Sequence, residues 1–429
     1  MKHAVTGAKL AFSFVLLLAG PAFTQTLSDE ATPEAIAAAS VAHVYVQTHK
    51  GVDVYDATAA GKLTLVKGSP FADTGQMEGI NGKYLISVGT DYLHTYAIAS
   101  NGAVGKQASE INTQTYDGAE CGSPINNGYA NGSVLDHAGK YLYVLLYDGY
   151  NTDCAAWQSY EIGSNGSLHF LGSMEDEASY FGNPQPSTLP TISSNDKFGY
   201  AAIAGEGGCR SFSPYVKIPD GQLEKNSPFS EIDPEGDPNG APWYSCPINA
   251  SADPAGHLAV LMYFEDDPPY GNYGPWQLAS YTIDDNSTGS ITSTNTWLDM
   301  PASEVYGRVM ETSPSGKLLA LAGGGDGSEG DGSGMDGLQI FHFNGAAPIT
   351  EYSALLLPAV EIDQLGWDND NHLYALSYSS GELYVYTVTP TEIREASGSP
   401  YKVENAYGIS GLIVVPKLEA SVRAAPLSR

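Results

Sequence analysis

A short phrase recurs six times along this chain at a nearly constant interval, and it limits the possible folds more than any other feature. Each copy couples Gly, Asn or Asp to a basic residue and then to a run rich in Leu, Tyr, Val and Ala. The copies are Gly82-Lys83-Tyr84-Leu85-Ile86, Gly139-Lys140-Tyr141-Leu142-Tyr143, Asp196-Lys197-Phe198-Gly199-Tyr200, Gly256-His257-Leu258-Ala259-Val260, Gly316-Lys317-Leu318-Leu319-Ala320 and Asn371-His372-Leu373-Tyr374-Ala375. Their basic residues are 57, 57, 60, 60 and 55 positions apart. After each run comes a segment of alternating pattern, as in Tyr92-Leu93-His94-Thr95-Tyr96 and Glu382-Leu383-Tyr384-Val385-Tyr386, which is the period of a strand. With 48 Gly, 26 Pro and 28 Tyr but only 16% charged residues, the composition favours strands and turns over helices.

A four-stranded antiparallel sheet cannot bury both of its faces alone, so repeats of this length are expected to stack around an axis. The predicted fold is all-β: a seven-bladed β-propeller with four antiparallel strands per blade. Six blades follow from the six anchors. The seventh is expected from the chain ends, with Ile409 to Val415 supplying the inner strand beside Val44-Tyr45-Val46 and Val52 to Tyr55. That pairing of N- and C-terminal strands in one blade would close the ring and remove two open edges. A ring of six or eight is the alternative, because the first blade rests on complementarity. Gly68-Ser69-Pro70-Phe71, Asn226-Ser227-Pro228-Phe229 and Gly398-Ser399-Pro400-Tyr401 close the outer strand of three units, where a Pro costs the ladder nothing.

Lys2 and Lys9 flank the start of an apolar run from Leu10 to Ala19, followed by Gly20, Pro21 and Ala22. This predicts a secretory signal peptide over 1–22, too short to be a membrane span. Residues 23–40 are expected to be a flexible lead-in, 41–416 the propeller and 417–429 a loose tail, with the mature chain secreted or periplasmic, monomeric and without a transmembrane anchor. The formal charge of −30, from 19 Lys+Arg against 49 Asp+Glu, argues against nucleic acid as a partner. An acidic field would also repel anionic lipid.

Short Gly-Lys turns mark one face of the predicted disc, and the long insertions all fall on the other, where function is usually placed. Cys121, Cys154, Cys209 and Cys246 map to this decorated face. Of three possible connectivities, Cys121–Cys154 and Cys209–Cys246 suits the placement best. A zinc site is the rival, without the usual ligand spacing. Asp326, Glu329, Asp331 and Asp336, set among glycines, are candidate oxygen ligands for calcium, against a solvated flexible loop. Trp243, Tyr244, Tyr270, Tyr273 and Trp276 are candidate stacking surfaces for a sugar, against simple packing over the rim. Counting nine residues back from each anchor places Thr74, Asn131, Thr188, Ile248, Arg308 and Asp363 around the mouth of the axial channel. There, Arg308 and Asp363 are expected to pair.

The phrase Thr312-Ser313-Pro314-Ser315-Gly316-Lys317-Leu318-Leu319-Ala320, with the Gly-Ser-Pro-Phe signatures and the unit length, resembles the seven-bladed lactonase-type propellers related to 6-phosphogluconolactonase. The likeness covers most of residues 41 to 416. Enzymes of that family often begin the inner strand with Pro-Arg-His before the turn; here Arg308 matches the Arg, while Val309 stands in the place of the His. A general acid or base at neutral pH needs an imidazole or a tuned carboxylate. No Gly-x-Ser-x-Gly, His-Glu-x-x-His or phosphate-loop motif is present.

Two functions are therefore expected. The first is a ligand- or partner-binding module for a small molecule, a carbohydrate or a cell-envelope protein. The second is a hydrolase of sugar-type lactones, with Arg308 polarising the carbonyl and Asp363 or Glu304 acting as base.

Overall fold

The computed structural model describes residues 39–71, 75–89, 91–116, 129–148, 154–175, 191–202, 211–217, 220–225, 230–231, 243–266, 276–284, 287–293, 295–305, 307, 309–324, 335–404 and 411–417. The expected signal peptide lies outside them, as does nearly all of the expected lead-in and tail. Among the described residues no helix is long and apolar enough to cross a membrane.

The chain is an all-β propeller of four-stranded antiparallel units. The first strands are β1 (Ser40–Thr48), β2 (Gly51–Thr58) and β3 (Leu63–Leu65), then β4 (Gln76–Ile80), β5 (Tyr84–Val88), β6 (Tyr92–Ile98) and β7 (Val104–Asn112). Next come β8 (Tyr129–Leu135), β9 (Tyr141–Asp148), β10 (Cys154–Ile162) and β11 (Leu168–Glu175), followed by β12 (Thr191–Ile192), β13 (Phe198–Ala202), β14 (Ser211–Lys217), β15 (Leu223–Lys225) and β16 (Ser230–Glu231). The third group is β17 (Trp243–Ala252), β18 (His257–Asp266), β19 (Gln277–Ile283) and β20 (Ile291–Ser293), then β21 (Val309–Thr312), β22 (Leu318–Gly323), β23 (Gly337–Asn344) and β24 (Ala347–Glu351). The last strands are β25 (Gln364–Trp367), β26 (His372–Ser377), β27 (Glu382–Thr389), β28 (Glu392–Glu395), β29 (Tyr401–Lys402) and β30 (Leu412–Pro416). Six sheets run in chain order, and a further sheet has the order β3-β2-β1-β30. In it, Val46 faces Leu412 and Ala42 faces Pro416 across an antiparallel ladder.

The packing explains why the second strand of each unit is a continuous apolar run. Successive side chains of a strand point to opposite faces, and here both faces are buried. Leu142, Val144 and Leu146 of β9 pack toward β5, whereas Tyr141, Tyr143 and Leu145 pack toward β13. In β22, Leu318, Ala320 and Ala322 join the β25–β27 side, and Leu319 and Leu321 join the β18 side. The β26 residues Tyr374 and Leu376 meet Val44 and Val46 of β1, so this sheet packs on the one that joins β1 to β30. Lys417 is tied in as well: its N–H donates to the Val41 carbonyl at 2.7 Å, and its ammonium reaches Asp56 at 2.6 Å.

The anchor turns repeat one device, a short side-chain acceptor that satisfies the N–H groups opening the second strand. Asp136 accepts from the N–H of Lys140 and Tyr141 at 2.7 and 2.8 Å. Asp253 does so for His257 at 2.7 Å, and Asp368 for His372 at 2.9 Å. Ser193 and Ser313 serve Phe198 and Leu318. The outer hairpin of one unit also seats on the ring that starts the second strand of the preceding unit. Gly221, with φ +84°, lies so close to Tyr141 that a Cβ there would sit 2.2 Å from the ring. Gly289 meets Phe198 in the same way, at 2.4 Å.

Candidate functional site

The first strands of the sheets carry the site. Their side chains and backbone donors are cross-linked from unit to unit, which fixes their relative height. Ser133 of β8 donates from its N–H to Glu78 of β4 at 2.9 Å, and its hydroxyl is 3.3 Å from the same oxygen. Ala252 of β17 donates to Thr191 of β12 at 2.9 Å. The N–H of Thr312 in β21 donates to the Ser251 hydroxyl at 2.9 Å, and the indole N–H of Trp367 in β25 donates to the Glu311 carbonyl at 3.3 Å.

These strands enclose a cavity of about 790 Å³ lined by residues of β8, β12, β17, β21 and β25 and the segments beside them. Its polar lining residues include Thr191, Asn249, Ser251, Thr312, Gln364, Glu311 and Asp363. Ile192, Ile248, Val309 and Met310 lie between them, and His137 borders the cavity on the Gly-Lys side. No lysine or arginine is among the described residues that line it. Asp363 accepts the Tyr378 N–H at 2.7 Å, and His137 is held by Asp196 at 2.8 Å.

Glu311 is the unusual group. It sits in the middle of β21, keeps part of its surface on the cavity and is otherwise surrounded by protein. Burial pushes its carboxyl up to about 8, because desolvation disfavours the charged form. Glu78 is related. It is the extra residue of a β-bulge between Met77 and Gly79, and such a bulge re-aims a side chain. Burial raises its carboxyl to about 7, against the lowering effect of hydrogen bonds from Ser133 and Gln76. Its Oε1 is sealed from solvent without a partner.

The sequence-predicted site residues fare unequally. Ile248 and Asp363 do meet at one cavity. The constant nine-residue offset behind that expectation needs correction, because the anchor turns differ in length. Leu135 pairs with Leu142, but Ile80 pairs with Leu85, so the turn between β4 and β5 is two residues shorter. Bulges at Asn131 and Ile248 shift the register again. Thr74, Thr188 and Arg308 lie outside the described residues, and the expected Arg308–Asp363 pair with them. Glu304 is exposed; its N–H donates to Gln339 at 3.0 Å, and it does not line the cavity.

Among the aromatics, Trp276 is half-buried and packs against the core formed by Leu261, Leu278 and Phe341. Trp243 and Tyr244 open β17 opposite Asp266 and Glu265, while Tyr270 and Tyr273 lie outside the described residues. Asp326, Glu329 and Asp331 also lie outside them. Asp336 flanks Gly324 together with Glu361, and no group of three or more potential metal-binding side chains forms among the described residues. Cys154 and Cys246 open β10 and lie early in β17, at the strand ends remote from the Gly-Lys turns. Cys121 and Cys209 lie outside the described residues.

Sequence reasoning passed over Glu311 and Glu78. The available signal was their position. Glu311 is two residues after Val309 and therefore on the same side of the strand, while Glu78 stands alone in the short strand Gln76-Met77-Glu78-Gly79-Ile80.

No protein-family model matches the chain, and no curated protein matches it. Solved structures do. The periplasmic gluconolactonase of Pseudomonas aeruginosa aligns with a TM-score of 0.59 at 14% identity, covering 88% of this chain and 99% of that one. A candidate 6-phosphogluconolactonase from Bacteroides uniformis gives 0.58 at 12% identity, over 88% and 100% of the two chains. Its counterpart from Bacteroides fragilis gives 0.56 at 14%, over 88% and 98%. At such identities the likeness concerns the scaffold. The fold of this chain is that of the 6-phosphogluconolactonase-like β-propellers.

Proposed function

We propose that the units close into one ring of seven blades and that the cavity among their first strands binds a small polyhydroxylated ligand, of the carbohydrate or sugar-lactone class, in the periplasm or outside the cell. The observation that carries this reading is the lining itself. Hydroxyl, amide and carboxyl side chains converge with apolar residues on a space of about 790 Å³, within the range of about 300–1,000 Å³ usual for small-molecule sites. Alternating polar and apolar contacts suit a sugar, whose hydroxyls and C–H faces also alternate. Export rests on the N-terminal sequence pattern, and the likeness to a periplasmic gluconolactonase supports it. Closure is supported by the β1–β30 ladder and by the packing of β26 on β1.

Lactone hydrolysis is the second reading. Two carboxyl groups, Asp363 and Glu311, border the same cavity, so one is available as a base and one as an acid. Arg308, next to Val309 in sequence, would polarise the carbonyl. Isothermal titration with neutral sugars, together with a hydrolysis assay over a panel of sugar lactones, separates the two. Binding without turnover supports the module, and turnover abolished by Arg308→Ala establishes the hydrolase. Absence of both binding and turnover overturns the ligand site.

A further inference from the structure

The inner-strand pattern lacks an imidazole at Val309, but the structure brings a different one to the cavity. His137, in the turn after β8, borders it with 57% of its side chain exposed. Asp196, from the corresponding turn of the next unit, accepts the His137 backbone N–H at 2.9 Å and meets its Nδ1 at 2.8 Å through the same oxygen. A carboxylate only accepts, so Nδ1 carries the proton and Nε2 keeps its lone pair. The equivalent seams show what the fold itself needs at this place. Gly139 lies against Asn81 and Gly316 against Pro254, contacts that require only a small residue. Gly82, Gly139, Gly256, Gly316 and Asn371 hold the left-handed backbone of the other anchor turns, whereas Asp196 adopts it at φ +57°, a conformation that Gly reaches without strain. Neither the turn nor the seam asks for a carboxylate at 196. The other two His–Asp pairs of the anchor turns differ. His257 with Asp253 and His372 with Asp368 each lie within one turn, and their rings are covered by Gly345 and Gly61. Neither histidine is among the described residues that line the cavity.

We infer that His137 is the general base of the cavity, with Asp196 as its positioning residue, and that the substrate it serves is the lactone of a sugar acid, opened by water at the Gly-Lys end. This deepens the hydrolase reading and rests on it. An imidazole held by a carboxylate through one nitrogen is set to take a proton at the other, and Nε2 has no protein partner among the described residues. Asp363, by contrast, already accepts the Tyr378 N–H. In the step, Nε2 takes a proton from a water molecule whose oxygen bonds to the lactone carbonyl carbon. The ring C–O bond then breaks, and the departing oxygen takes the proton back from Nε2. Water and lactone become one hydroxy acid, and His137 ends as it began. Asp196 touches no substrate; it fixes the tautomer and the direction of the ring.

The test uses the full mature chain and two probes, D-glucono-δ-lactone and D-galactono-γ-lactone, with hydrolysis followed above the rate in buffer alone. His137→Gln should lower kcat by about a hundredfold or more and leave KM nearly unchanged. The rising limb of the wild-type pH–rate profile, which reports the free base, should be missing from this variant. Added imidazole should restore turnover to His137→Ala. Asp196→Gly places in the turn the residue that Gly82, Gly139, Gly256 and Gly316 supply elsewhere. Its melting temperature should therefore stay close to that of wild type, while kcat falls by about tenfold or more. Turnover in His137→Gln with an unchanged limb assigns the base to Asp363 or Glu311 and overturns the inference, while the hydrolase reading stands. Loss of melting temperature and turnover together in His137→Gln and Asp196→Gly, without rescue of His137→Ala by imidazole, makes the pair a seam contact and overturns the inference as well. Absence of wild-type turnover of both lactones overturns the hydrolase reading, and this inference with it.

Discussion

Replacing Glu78 by Gln probes the bridge between the units of β4 and β8 without changing side-chain size. The carboxyl titrates near 7 in the folded chain against an ordinary value of 4.5, a shift of about 2.5 units, or about 3 kcal/mol. Between those values the folded state holds a proton that the unfolded state has released. The stability contributed by Glu78 is therefore greatest below about pH 4.5, falls as pH rises through the window, and is fully lost above about pH 7. Gln keeps an acceptor for the Ser133 N–H and has no charge to bury. Urea denaturation of both proteins at pH 4.5, 6 and 8 should give similar stabilities at the lowest pH and a variant more stable by about 3 kcal/mol at the highest. Every other titrating group, Glu311 included, is common to both proteins and cancels in the difference. A difference that does not change with pH would refute the argument, since it would mean that Glu78 is solvated or ionised in the folded chain.

Asp368 is buried and receives hydrogen bonds from the N–H groups of Asp370 and His372, the His372 ring and the Tyr374 hydroxyl. Asp368→Ala should cost about 3 kcal/mol or more, read from the denaturation midpoint, and a loss under 1 kcal/mol would contradict that role. Ser251→Ala removes the acceptor of the Thr312 N–H and should cost about 1–3 kcal/mol by the same measurement. Gly221→Ala forces a Cβ into the Tyr141 ring at a positive φ and should destabilise by about 2 kcal/mol or more; an unchanged melting temperature would refute the seating of the hairpin. A chain ending at Ser410 lacks β30 and leaves β1 as an open edge. It should lose cooperative melting by circular dichroism and aggregate, and retention of a wild-type transition would contradict the pairing.

Much of the fold was legible because its signal is local. The anchor phrase marks the turn into each second strand, and runs such as Leu318 to Ala322 are apolar throughout since both faces of the sheet are covered. The chain ends could be matched because Val44 to Val46 and Leu412 to Val415 each lacked a partner, and the ladder joins them. The site was less legible. Which residues reach the cavity depends on turn length and bulges, and neither shows in a residue count: Ile80 to Leu85 and Leu135 to Leu142 look alike in sequence but differ in span. A single Glu in a short strand, as at 78 or 311, reads as solvent-facing until the neighbouring strand is in place. Trp276, a candidate stacking surface in sequence, is half-buried and rests in part on the core, which a residue count does not show.

The location of a bound sugar tests the account most directly. A crystal structure of the mature chain soaked in D-glucose at pH 6.5 should show the ring among β17, β21 and β25, within hydrogen-bonding distance of the Glu311 carboxyl and of Asn249 or Gln364. Sugar density confined to the decorated rim near Trp276, with the cavity holding only water, would contradict it.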